Sequence, residues 1–142
     1  MKRLVDSIAI WCARYLIVAL LIAAALAGSS LIKELLVSIL AAWGFAVLLQ
    51  LALRRPRPFR NGEQALIKMW VETPSFPSAH AAISFAVAGT FLWSQGGQAP
   101  AFAVAATLLC WARVRVRVHY LSDVAVGAAL GLAVSYGASS FV

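Results

Sequence analysis

A chain of 142 residues that is 63% hydrophobic and only 12% charged lies outside the range of soluble domains, which run about 45–50% apolar and about 25% charged. At a mean hydropathy of +0.88 it holds more apolar surface than a soluble monomer of one domain can bury, and disorder is excluded for the same reason. The net charge of +7 leaves three partners open at this level: nucleic acid, anionic lipid and a phosphorylated substrate.

A membrane span needs about 20 apolar residues. Leu4–Ala27 is the first such run, with Asp6 and Arg14 near its beginning and Gly28-Ser29-Ser30 as its end. Lys2-Arg3 and Ala25-Leu26-Ala27 also fit a signal peptide, but Asp6 and Arg14 interrupt that layout, so a retained span is expected. Leu35–Leu53 is the second run, reaching back to Leu31 with Lys33 and Glu34 in its first turn. The basic stretch Arg54-Arg55-Pro56-Arg57-Pro58-Phe59-Arg60 then opens a loop that runs to Pro77, with a short amphipathic helix expected over Gln64–Val71. Ala79–Trp93 and Ala99–Ala112 are the third and fourth runs, both short, and the fifth extends from about Tyr120 to Val142. The pattern predicts an all-α integral membrane bundle of about five transmembrane helices in a single domain, 1–142. Gly127 and Gly131 have the small-xxx-small spacing of closely packed helices, read as contact within the bundle. Trp11, Trp43, Trp70, Trp93 and Trp111 read as interface anchors, and Cys12 and Cys110 as buried free thiols.

Two crossings separate each from the next, so the N-terminus, the loop 54–79 and the turn 113–119 lie at one membrane face. Seven of the nine arginines, both histidines and Asp123 meet there. Ionisable residues at the ends of membrane helices are functional candidates by default. His119 and Asp123 are spaced i, i+4, which on a helix places the carboxylate beside the imidazole. A carboxylate holding one ring N–H fixes the tautomer and frees the other nitrogen as nucleophile or base. Ser78-Ala79-His80 follows Pro77 at a helix start, whose free N–H groups and dipole suit an anion. Arg57 and Arg113 add bidentate phosphate contacts. Two imidazoles, an orienting carboxylate and several guanidiniums suit phosphoryl transfer through a phosphohistidine.

These residues also carry a family pattern. The chain resembles the type-2 phosphatidic-acid phosphatase superfamily of membrane lipid phosphatases, whose motifs are Lys-x6-Arg-Pro, Pro-Ser-Gly-His and Ser-Arg-x5-His-x3-Asp. Here they read Gln50, six residues, Arg57-Pro58; then Pro77-Ser78-Ala79-His80; then Ala112-Arg113, five residues, His119, three residues, Asp123. The resemblance implies that His119 attacks phosphorus, that Asp123 orients it, and that His80 protonates the leaving oxygen and then activates water. It implies that Arg57, Arg113 and the Ser78 hydroxyl and backbone N–H hold the phosphate, with Ala79 at the crowded turn, and that no metal or cofactor is used. Gln50 lacks the charge of the family's lysine, and Arg54, one turn further on, is the candidate to replace it. Ala112 removes one hydrogen bond, a mild change.

The expected function is metal-independent hydrolysis of a lipid phosphate or pyrophosphate in the bacterial inner membrane, with undecaprenyl pyrophosphate favoured. Phosphatidylglycerophosphate, phosphatidic acid and other polyprenyl phosphates remain alternatives, as does a non-catalytic protein that binds anionic lipid. A vanadate-dependent haloperoxidase is remote, because those are large soluble proteins. Nucleic-acid binding is disfavoured, since the basic residues flank membrane spans. Arg115 and Arg117 read as interface residues rather than phosphate ligands. Lys2, Arg3 and Arg14 favour a cytoplasmic site under the positive-inside rule.

Overall fold

Each of the five predicted spans is helical in the computed structural model, which describes residues 1–69 and 72–141. The helices are α1 (Lys2–Ala27), α2 (Ile32–Leu53), α3 (Ala79–Trp93), α4 (Ala99–Arg115) and α5 (Leu121–Phe141). Among the described residues, three stretches, Lys2–Ala27, Ser29–Asn61 and Leu121–Phe141, are long and apolar enough to cross a bilayer, whereas α3 has 15 residues and α4 has 17. α1 is π-helical over Cys12–Leu16. α4 runs to Arg115 rather than stopping at Ala112, and Arg115 pairs with Asp6 of α1 at 2.7 Å. That pair ties the N-terminal part of α1 to the end of α4 next to the turn 116–120.

α3 lies at the centre, packed on α2, α4 and α5. Its buried positions are almost all small: Ala81, Ala82, Ser84, Ala86, Ala88 and Gly89 among them. Small residues let helix backbones approach, which is how helices gain packing energy when lipid removes the hydrophobic drive between them. α5 answers with Gly127 and Gly131. A Cβ on Gly131 would stand 2.2 Å from the Ala82 carbonyl oxygen, and one on Gly127 would stand 2.5 Å from that of Ser78. The glycine pair therefore serves contact within the bundle, as expected. Gly127 fixes α5 against the residue that begins α3.

At the end away from the histidines, Phe91 stacks on Phe102 at 4.3 Å between centroids, in a cluster with Leu20, Ala24 and Leu35. Trp11, Trp43, Trp93 and Trp111 are all partly or largely exposed on the bundle surface, but Trp43 stands midway along α2 rather than near an end where an anchor belongs; Trp70 lies outside the described residues. Cys12 and Cys110 are free; Cys12 is buried and Cys110 only partly so.

The amphipathic helix expected over Gln64–Val71 is a correction. Residues 64–69 are not helical, and Trp70 and Val71 lie outside the described residues. The Leu66 N–H donates to the Val116 carbonyl at 3.1 Å, and Ile67 inserts among Ala9, Cys12 and Val116. Tertiary contact overrides the local pattern here.

Candidate active site

Two segments build the site. The loop after α2 carries Arg57 and Ser75 and leads into α3 at Ser78; the turn between α4 and α5 carries His119. Arg57 crosses between them and is 4% exposed. Its Nε donates to the Thr73 carbonyl at 2.7 Å and its Nη2 to the Thr73 hydroxyl at 2.9 Å. Its Nη1 donates to the Val118 carbonyl at 2.8 Å and lies 3.2 Å from His119 Nε2. Burial pulls the guanidinium down to about 10, partly offset by Asp123 and Glu72, so it stays charged at neutral pH.

His119 is buried, and its tautomer follows from its neighbours. Nδ1 stands 2.9 Å from the Ser75 carbonyl, a group that only accepts, so Nδ1 carries the proton. Nε2 faces an arginine N–H, which only donates, so Nε2 presents its lone pair. Burial pushes this imidazole down to about 4; the nearby Asp123 carboxylate opposes the shift and the charges of Arg113 and Arg57 add to it. At neutral pH His119 is an uncharged base whose Nε2 lone pair faces Arg57.

Asp123 is fully buried and does three things. Its Oδ1 accepts from Arg55 Nη1 at 2.9 Å; its Oδ2 accepts from the Tyr120 backbone N–H at 2.8 Å and stands 3.5 Å from His119 Nδ1. The Tyr120 bond caps α5 in the manner of a capping box, with the third helical residue reaching back to the residue before the helix. This corrects the expected geometry. His119 precedes α5 instead of lying on it, so the two side chains meet across the helix entry, not along one face. Asp123 remains within ion-pair range of the imidazole, while the ring N–H is held by Ser75.

Ser78 is a second correction. Its backbone N–H donates to the Asp123 carbonyl at 2.9 Å and is not free for phosphate. Its Oγ caps α3 by accepting from Ala81 N–H at 3.4 Å, which leaves only the hydroxyl proton to offer. The N–H groups of Ala79 and His80 make no hydrogen bond among the described residues and are the open donors of this helix start. His80 is half-buried, makes no side-chain hydrogen bond among the described residues, and lies within electrostatic reach of Arg113, His119 and Arg57.

Gln50 is buried and donates its Nε2 to the Pro77 carbonyl at 2.8 Å, fixing the approach to α3. Arg113, 5% exposed, donates from Nη1 to the Ala13 carbonyl in the π-helical part of α1 at 3.3 Å, and its buried Nε has no partner among the described residues. It makes no ion pair there, and neither does Arg57. Arg54 is exposed, folds back on the Leu51 carbonyl at 3.1 Å and does not reach His119 or Asp123. Arg115 and Arg117, expected as interface residues, pair with Asp6 and Glu63.

Sequence reasoning missed Arg55, which meets both Asp123 and Ser122 and lies over the Tyr120 ring at 4.2 Å. Its signal was present in the repeated Arg-Pro of residues 55–58, where only the second Arg-Pro was taken. Ser75 acts through a backbone carbonyl, which no side-chain pattern reports.

The family question closes with the comparison to known proteins. The PAP2 superfamily matches residues 14–142. The chain belongs to that superfamily. Decaprenylphosphoryl-5-phosphoribose phosphatase of Mycobacterium tuberculosis, in two strains, is 40% identical over 96 residues, covering 66% of this chain and 51% of that protein. The chain thus spans about half the length of these PAP2 relatives. LpxE of Aquifex aeolicus superposes with a TM-score of 0.74 at 25% identity, covering 97% of this chain and 87% of its own. The transmembrane PAP2-type phosphatidylglycerolphosphate phosphatase of Bacillus subtilis shares the fold at a TM-score of 0.57 and 20% identity, covering 99% and 85%. This PAP2 chain is an all-helical bundle with spans suited to a membrane, as its sequence predicts.

Proposed function

We propose that this protein is a phosphohydrolase of lipid phosphates or pyrophosphates in a bacterial inner membrane, working through a phosphohistidine. The carrying observation is His119. Its Nε2 lone pair faces Arg57 Nη1 at 3.2 Å, in a site where two buried guanidiniums, Arg57 and Arg113, make no ion pair among the described residues. Such a site is built for an anion, and a phosphate is the anion whose chemistry uses a free imidazole nitrogen.

In the first step the Nε2 lone pair attacks phosphorus as the bond to the leaving oxygen breaks, and His80, protonated when the phosphate dianion binds beside it, gives that oxygen its proton. In the second, His80 takes a proton from water as the water oxygen attacks phosphorus and the phosphorus–Nε2 bond breaks. Arg57, Arg113, the Ser78 hydroxyl and the N–H groups of Ala79 and His80 hold the phosphoryl oxygens. Asp123 offsets the charge of the imidazolium. The relatives support a lipid-linked substrate, since one is named for a decaprenylphosphoryl sugar phosphate and another for phosphatidylglycerolphosphate. Undecaprenyl pyrophosphate is the favoured single substrate; its tail lies in the bilayer while its headgroup enters from the membrane face.

The test is phosphate release by the purified protein in detergent with EDTA, across phosphatidic acid, phosphatidylglycerophosphate and polyprenyl mono- and diphosphates. Release that His119→Ala abolishes supports the reading. Binding of these lipids with no release from any of them refutes it and favours a non-catalytic lipid-binding protein.

A further inference from the structure

A cavity of about 170 Å³ opens in the loop after α2, walled by Arg54, Arg55, Arg57, Arg60, Glu72 and Thr73. Pockets for drug-sized ligands run to about 300–1,000 Å³, so this one suits a single small group. Its charge is lopsided, with four guanidiniums to one carboxylate. Glu72 is taken by Arg60, and Arg55 is taken by Asp123. Arg54 and Arg57 make no ion pair among the described residues. Arg57 belongs to both places: its Nη1 lies 3.2 Å from His119 Nε2, and the residue lines the cavity. Arg57 is thus the residue that links the cavity to the nucleophile.

Arg54 itself sits at odds with its local backbone. It ends α2 with φ 47, the left-handed conformation that favours glycine at this position. A cation does suit the negative end of a helix. That accounts for one arginine, not for four around a cavity. Residues that break a local rule cluster at functional positions. Leu48 and Leu51, exposed on the last turns of α2, lead from the lipid-facing surface to this rim.

Resting on the phosphatase reading, we infer that the arginine cavity is a second anion subsite, taking a phosphate group bonded next to the one that His119 attacks. Arg54 is then the residue that selects substrates with two adjacent phosphates over those with one, and Arg60 adds to it by exchanging Glu72 for the phosphate.

The experiment is calorimetric titration of the full chain in detergent with methylenediphosphonate, whose P–C–P bridge resists hydrolysis, and with methylphosphonate, which carries one phosphorus. The wild type is expected to bind the bisphosphonate at least about 10-fold more tightly, the scale of one charge-assisted contact. Arg54→Gly is expected to lose most of that preference while unfolding at no lower temperature, because glycine suits the backbone there. Arg60→Gln, which leaves the backbone untouched, is expected to lose part of it. Equal binding of both compounds by the wild type, or an intact preference in both variants, overturns the inference. The two readings fail separately. Phosphate release without bisphosphonate preference removes the subsite alone, and preference without phosphate release from any lipid removes the phosphatase reading alone.

Discussion

The Nδ1–H of His119 is held by the carbonyl oxygen of Ser75 at 2.9 Å, while the carboxylate of Asp123 stands 3.5 Å away. The tautomer is therefore set by a backbone group that cannot titrate. Asp123 is freed to work as a charge, anchored by Arg55 and by the Tyr120 N–H.

This division of labour predicts the size of the Asp123→Asn effect. In serine-protease triads the same swap costs about 10⁴-fold in kcat, because the histidine adopts the wrong tautomer. Here Ser75 keeps the tautomer, and only the charge opposite the imidazolium is lost. The expected fall in kcat is about 10²-fold, measured on phosphate release from a lipid phosphate. A loss of about 10⁴-fold would show that Asp123 sets the tautomer after all.

Gln50 stands where the family has lysine, and its role here is to tie down the Pro77 carbonyl. Gln50→Leu leaves that carbonyl without its partner, at a cost of about 1–3 kcal/mol. Thermal unfolding in detergent should show the destabilisation, and kcat should fall about 10-fold as the start of α3 loosens. An unchanged melting temperature would mean that the hydrogen bond carries no weight.

Much of this was legible in advance. The five helices follow from apolar run length, and the Gly127 and Gly131 contact follows from spacing. The meeting of His80, His119, Asp123, Arg57 and Arg113 follows from motif order and membrane topology. What was not legible depends on backbone partners and on choices between neighbours. Ser75 enters through its carbonyl, and Ser78 loses its N–H to the Asp123 carbonyl. Arg55 rather than Arg54 turns inward, because the chain leaves α2 through a left-handed residue at 54. Residues 64–69 forgo a helix because Ile67 and Leu66 dock on the far segment.

Arg113 is a buried cation with an unpartnered Nε and a single hydrogen bond, to Ala13. A group this poorly satisfied is a cost to the free protein. Arg113→Met should therefore unfold at the same temperature or higher, since replacing a buried charge by a packed apolar side chain is often neutral or stabilising. Phosphate affinity should fall by about 10–100-fold with the loss of a charge-assisted contact. A variant that unfolds earlier and binds phosphate as well as the wild type would assign Arg113 a purely structural role.

Burial lowers the His119 imidazole to about 4, whereas in the unfolded chain it titrates near ~6.5. The unfolded chain thus binds the extra proton between those values. Stability contributed by neutral His119 is complete above about pH 6.5 and is lost as pH falls towards 4, by up to about 3 kcal/mol. Melting temperatures of the wild type and His119→Gln, compared at pH 7 and 4.5, should converge towards the acid side. Parallel declines would contradict the buried, neutral imidazole.

The central claim is that the free nitrogen of His119 is the nucleophile, and a quenched reaction tests it most directly. A lipid phosphate labelled in its terminal phosphate is mixed with the protein, stopped in base within milliseconds, and the phosphorylated peptide is located. The account predicts an acid-labile phosphohistidine at His119, carried on Nε2 because Nδ1 is committed to Ser75, and absent in His119→Ala. Phosphate release by the wild type with no covalent label, or with label on His80 or on Nδ1, would contradict it.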